Sequence, residues 1–277
     1  PTYTPSPTRT PIPVPTARPN DTPYPAPTGT RYPTPTPQPR TFAYNYKIGS
    51  DYWFLEDASY SDYEAAVDYF SRAIEAEPDH VDVADAYFRR GSSYLYTGQE
   101  QAAIVDFNKS IWWGSIDDQR LSRNYNMRGL AYDSLGQYQQ AIQDHTKAIK
   151  LSPEAADVYF DRGNSYGELG QHQEAIQDFD KAVQLDPEYS DAYFNRGVSY
   201  IALGEYREAI EDYTKSIQLG SEDSDAYFNR GISYNELGQN LKAIQDYNKA
   251  IQLDPEDSDL YYQRGYAYDD LGQYEQA

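Results

Sequence analysis

SDAYFNRGVSYIALGEYREAIEDYTKSIQLGSED, Ser190 to Asp223, carries the reading of the fold. Its first half sets Tyr193, Gly197, Tyr200 and Leu203 on one stripe at helical period. Its second half sets Ala209, Ile210, Tyr213, Ser216 and Ile217 on one face of a second helix. Gly204 between them suits a left-handed C-cap. Ser190 stands where an N-cap is needed, and Asp191 puts negative charge at the positive end of the helix dipole. The stretch therefore reads as two short helices joined by a tight turn. Such a hairpin is too small to bury its own core and must lean on neighbours.

The neighbours are in the sequence. Arg-Gly recurs at Arg90, Arg128, Arg162, Arg196, Arg230 and Arg264, first at an interval of 38 residues and then four times at 34. The spacing predicts five full units, 84–117, 122–155, 156–189, 190–223 and 224–257, and a partial sixth over 258–277. Ser224 and Ser258 repeat the capping place of Ser190. A degenerate unit, about 47–80 within a region drawn as 44–83, keeps a clear second helix, YEAAVDYFSRAIEAEPD, and no glycine is recognised in the usual place of its first. Pro78, Pro153, Pro187 and Pro255 close units at one common place.

The pattern of Tyr193, Gly197 and Tyr200 followed by Ala209, Tyr213 and Ser216, with proline at the close of other units, resembles the tetratricopeptide repeat (TPR) family over about Lys47 to Ala277. The resemblance implies an all-α, right-handed superhelical solenoid of antiparallel helix pairs, preceded by a disordered Pro/Thr-rich segment. It further implies that the first helices line a concave groove where peptides lie. Groove candidates carried over on that basis are Asp157, Phe160, Asp161 and Asn164; Asp191, Phe194, Asn195 and Val198; and Asp225, Phe228, Asn229 and Ile232. Phe88, Phe160, Phe194, Phe228 and Tyr262 form an aromatic ladder that Asn126 interrupts. Amides can bond a peptide backbone, Phe offers apolar contact, and Asp rows attract Lys or Arg. The same Phe and Asp could instead pack between units and cap helix starts.

One departure from the usual family pattern is Arg before the glycine, where leucine is common. Asp106, Asp144, Asp178, Asp212 and Asp246 stand just before the second-helix aromatic in five units, whereas the degenerate unit has Trp53 and Tyr69 at the two places. Joint presence predicts bidentate, partly buried Arg–Asp pairs, Arg196 with Asp212 for example. The competing reading is an Arg row that grips an anionic ligand. Four extra residues break the period between Ile111 and Arg128. There Trp113 is expected in the core and Trp112 is a candidate exposed contact. His145 takes the place of a packing aromatic and is expected to be buried.

Pro1 to Arg40 holds 14 of the 18 prolines and ten threonines. Proline fixes φ and removes a donor, so neither helix nor central strand is expected over residues 1–43, which read as an extended linker. Such tracts resemble stalks that hold domains off bacterial cell surfaces, the one pointer to location. The chain starts at Pro1 inside this tract and stops inside a unit, so it is expected to be a piece that continues past Ala277.

The net charge of −21 disfavours nucleic acid and anionic membranes, whose affinity needs Lys and Arg. Cys is absent, and no nucleophile, phosphate-loop or metal motif is found. The expected chain is therefore no enzyme, takes no cofactor or metal, and serves as a scaffold for a basic or apolar protein or peptide. The alternative is a regulatory or targeting region of a larger enzyme.

Overall fold

The computed structural model describes residues 41–53, 55, 58–114, 117–220 and 223–272. The Pro/Thr-rich tract through Arg40 and the close of the sixth unit lie outside them. Among the described residues there are helices and no strands: α1 (Phe42–Trp53), α2 (Tyr60–Ala76), α3 (Val83–Tyr96), α4 (Glu100–Trp113), α5 (Asp118–Ser134), α6 (Tyr138–Leu151), α7 (Ala156–Glu168), α8 (His172–Leu185), α9 (Ser190–Ala202), α10 (Tyr206–Gln218), α11 (Ser224–Glu236), α12 (Asn240–Leu253) and α13 (Ser258–Asp270). Each odd helix from α1 to α11 pairs with the next even one, each pair packs on the following pair, and α13 packs on α12. The result is an all-α solenoid.

The turns explain the hairpins. Gly204 has φ 76, and the amides of Gly204 and Glu205 bond back to Ile201 and Tyr200 at 2.9 Å each, closing α9 in a Schellman arrangement. The starts differ from the sequence reading. Ser224 and Ser258 are the first helical residues, and the preceding Asp223 and Asp257 accept the amides of Asp225 and Asp259. Ser190 likewise sits inside α9, where its hydroxyl lies 3.1 Å from that of Ser216. At Ser224 and Ser258 a carboxylate one residue earlier takes the capping role, whereas Tyr189 precedes Ser190 and makes no side-chain cap bond.

Small residues let the helices close. Ala103, Ala141, Ala175, Ala209 and Ala243, one per second helix, are wholly buried. The second-helix rings Phe70, Phe107, His145, Phe179, Tyr213 and Tyr247 press on a glycine of the first helix. A Cβ on Gly163 would come within 2.7 Å of Phe179. In the first unit Gly49 fills this role against Phe70, with 3.0 Å to the same imagined carbon. Its helix starts at Phe42, so it crosses the boundary drawn between residues 43 and 44. The glycine escapes the sequence pattern because the turn after it is longer, and the residue at the arginine place of this unit is therefore Ile48, not Trp53. His145 is fully buried, as expected. Trp113 is not in the core: it is 39% exposed and sets its ring edge-on to Trp112 at 5.1 Å, just before Gly114 ends α4. An indole is larger than the leucine it replaces, and it settles on its neighbour at the rim.

Candidate functional site: the inner face of the stack

Curvature follows from which helices meet. Each odd helix also touches the next odd helix, α7 with α9 and α9 with α11 for example, whereas even helices meet no other even helix. The odd helices therefore crowd on the inner, concave side and the even ones fan outward.

An arginine clasp holds successive pairs in register. Arg196 donates from Nε and Nη2 to Asp212 at 2.7 and 2.5 Å, and from Nη1 to Asp180 of the preceding unit at 2.6 Å. The same fork joins Arg90 to Asp106, Arg128 to Asp144, Arg162 to Asp178 and Arg230 to Asp246. The backward arm is equally regular. Nη1 of Arg90 bonds Ser71, that of Arg162 bonds Thr146 and that of Arg230 bonds Thr214, at 2.9 to 3.0 Å. Arg128 and Arg264 reach Asn108 and Asn248. The predicted pairs are present, and the guanidinium groups are taken up inside the protein, so no Arg row is offered to an anion. Burial alone would lower the Arg196 proton affinity, and the bonds from Asp212 and then Asp180 raise it above the ordinary arginine value. Burial outweighs that attraction for Asp212, whose carboxyl sits above its ordinary value. Burial makes such a pair costly.

The Phe ladder faces largely inward. Phe160 is buried and packs on Phe179 and Tyr189, Phe194 stands edge-on to Tyr213, Phe88 leans on Phe107 and Phe228 on Tyr247. Tyr262 is exposed, as are Val198 and Trp112, the last at 78%. Asp157 and Asp191 are exposed; Asp161, Asn164, Asn195, Asp225, Asn229 and Ile232 are partly buried; Asn126 is buried. Asn195 donates to Asn164 at 2.8 Å, linking α9 to α7 along the inner face. Asp157 and Asp191 border a cavity of about 710 Å³ together with Glu154, Asp186, Glu188 and Tyr189. Asp157, Asp161 and Asp191 make no ion pair with Lys or Arg among the described residues. Burial, and then the Asp223 charge, raises Asp191. Burial first, and then Asp161, Asp191 and other carboxylates, raises Tyr189.

Where Asn126 interrupts the ladder, the structure puts a polar cluster that sequence reading did not assemble. His145 Nδ1 lies 2.7 Å from Asn126 Oδ1, and its Nε2 lies 3.0 Å from Asp133 Oδ2. Asn126 Nδ2 donates to Asp161 at 2.9 Å, and Ser165 donates to Asp133 at 2.7 Å. The cluster joins α5, α6 and α7. Its signal was the simultaneous loss of both ring partners, Asn for Phe and His for Phe, in one unit. No group of three or more His, Asp or Glu among the described residues could hold a metal ion. No helix among them is long and apolar enough to cross a membrane.

Paired helices that share a buried seam and present one curved inner surface define a repeat scaffold. Tetratricopeptide repeat profiles match residues 61–111, 156–189 and 190–223, and a TPR repeat profile matches 129–170 and 231–272. The chain belongs to the tetratricopeptide repeat family. No curated protein matches it. Among solved structures it is similar to MamA, at 26% identity over 60% of this chain and 95% of that one, with a TM-score of 0.55. It shares its fold with YrrB, described as a TPR protein with an unusual peptide-binding site, at 22% identity over 70% and 96% of the two chains, TM-score 0.59. A tetratricopeptide repeat protein from Parabacteroides merdae matches over 85% of this chain and 88% of its own, at 20% identity and a TM-score of 0.65.

Proposed function

We propose that the chain is a non-catalytic scaffold whose inner face, along α7, α9 and α11, binds an extended segment of a protein partner that carries Lys or Arg. The observation that carries this reading is the division of charge. The arginines of the Arg-Gly pairs are consumed in clasps between units, while Asp157 and Asp191 on consecutive inner helices make no ion pair with Lys or Arg among the described residues. Such a row attracts a basic segment over the Debye length of about 8 Å at physiological salt. In this reading the remaining amide groups of Asn164, Asn195 and Asn229 would bond its backbone, and exposed Val198 would offer apolar contact. The Pro/Thr-rich tract would tether this scaffold at a bacterial cell surface.

A peptide array probed with the full chain tests the proposal. Bound sequences are expected to be rich in Lys or Arg, and binding is expected to fall at least tenfold in Asp157→Lys/Asp191→Lys, with folding retained because both residues are exposed. Capture of acidic sequences, or unchanged capture by the charge-reversed chain, contradicts it.

A further inference from the structure

The hydrogen bonds of the His145 cluster have a proton requirement of their own. A carboxylate can only accept, so Asp133 Oδ2 at 3.0 Å calls for a proton on His145 Nε2. Nδ1 at 2.7 Å faces the amide oxygen of Asn126, whose nitrogen donates to Asp161. With a neutral ring and two ionised carboxylates, a nitrogen lone pair would meet an oxygen lone pair at that distance. Turning the Asn126 amide over moves the conflict to Asp161, where two acceptors would then meet at 2.9 Å. One additional proton removes the conflict in any of three places. It can sit on Nδ1, or on Asp161 with the amide turned, or on Asp133 with the ring donating from Nδ1.

We propose that Asp133, His145 and Asp161, relayed through Asn126, hold one such proton at neutral pH and that its loss loosens the seam between units 122–155 and 156–189. The surroundings favour retention. His145 has no exposure to solvent. Gly129 lies so close beneath the ring that a Cβ there would meet it at 2.5 Å, so the imidazole has no room to turn away. From α7, Asp157 adds a like charge beside Asp161, and Tyr189, at the start of α9, lies near the same carboxyl. Asp191 lines the same cavity as Asp157. Of the other charges on α5 and α6, Arg128 and Lys147 both pair with Asp144. Burial, with Asp157 and Asp133 adding to it against the opposing pull of His145 and Asn126, raises Asp161 above its ordinary value, the direction that retention needs.

The sign follows from the unfolded chain, where imidazole loses its proton near about 6.5 and carboxyls near about 4. Above about 6.5 the folded chain holds a proton that the unfolded chain has released, so the stabilisation is complete below that pH and is lost as pH rises through the cluster's own titration. Asp161→Asn mimics the protonated carboxyl. Its amide can donate to Asn126, which donates to Nδ1, while Nε2 still donates to Asp133, and no proton is left to lose.

The test uses the full chain. Nitrogen NMR of His145 and infrared spectra of the carboxyl groups at pH 7.5 are expected to show a doubly protonated ring or one protonated aspartate of this cluster. Hydrogen exchange of α5–α7 between pH 6.5 and 9, corrected for intrinsic rates, is expected to show the seam's closing constant falling by up to about tenfold per pH unit in wild type. Asp161→Asn, and Asn126→Phe/His145→Phe, which restores the ring pair of the other units, are expected to remain flat. A neutral ring beside two ionised carboxylates at pH 7.5, or pH profiles that run parallel in wild type and Asp161→Asn, overturns the proposal. If the double variant does not fold, the Asp161→Asn comparison decides alone.

Discussion

Removing Asp212 exposes what the arginine clasp does. The Arg196 and Asp212 side chains are 15% and 6% exposed, and their two bonds are 2.7 and 2.5 Å long. Breaking a buried pair from one side typically costs about 3–5 kcal/mol because an uncompensated charge is left behind. Here Arg196 keeps its 2.6 Å bond to Asp180, a carboxylate 54% exposed and therefore well screened. That residual partner reduces the expected cost of Asp212→Ala to about 2–3 kcal/mol. Replacing both residues, Arg196→Leu/Asp212→Leu, removes the desolvated charges together and is expected to stay within about 1 kcal/mol of wild type. The raised value of Asp212 points the same way: burial already works against its charge. Arrays of this kind need not unfold in one step, so the measurement is hydrogen exchange of α8–α10 in the full chain, supported by urea titration. The reasoning is refuted if Asp212→Ala changes protection by less than about 0.5 kcal/mol, the scale of an ordinary surface change, or if the double variant is as damaged as the single one.

Three further outcomes are expected. Gly231→Ala drives a Cβ to 2.7 Å from the Tyr247 ring and is expected to destabilise by about 1–3 kcal/mol, read from the thermal midpoint. Tyr213→Phe removes a buried hydroxyl that has no hydrogen-bond partner and restores the ring found at Phe107 and Phe179; urea unfolding should show it neutral or up to about 1–2 kcal/mol more stable. Trp112→Ala should leave the midpoint within about 0.5 kcal/mol of wild type, because the indole is 78% exposed, while the solvent-shifted part of the tryptophan emission disappears.

The regular parts of this molecule were readable from residues because each unit repeats the same local physics. Arg196 and Asp212 betrayed their contact by occurring together in five units and failing together in the first. Their backward bond to Asp180 was also within reach, since Ser71, Asn108, Thr146, Asp180, Thr214 and Asn248 all follow the second-helix ring. What escaped depended on lengths and on pairs of exceptions. Gly49 meets Phe70 across a longer turn, so the fixed spacing passed over it. Asp223 and Asp257 cap helices where the neighbouring serines were favoured, because both residue types suit the role and only the backbone decides between adjacent candidates. Asn126 and His145 were each understood as one odd residue; nothing local says that two substitutions 19 apart bond each other and recruit Asp133, Asp161 and Ser165. The ladder of Phe side chains divides the same way. Their helical place was legible, whereas their inward lean on Phe107, Phe179, Tyr213 and Tyr247 required the packing.

The proposal that a partner lies along the odd helices is tested most directly by site-specific photo-cross-linking. A cross-linker in place of exposed Val198 on α9 is compared with one in place of exposed Glu211 on α10, each in the full chain with a Lys-rich peptide recovered from the array. Cross-links confined to position 198 and lost in Asp157→Lys/Asp191→Lys are the predicted result. Equal labelling from both positions, or labelling from 211 alone, would contradict the assignment of the inner face.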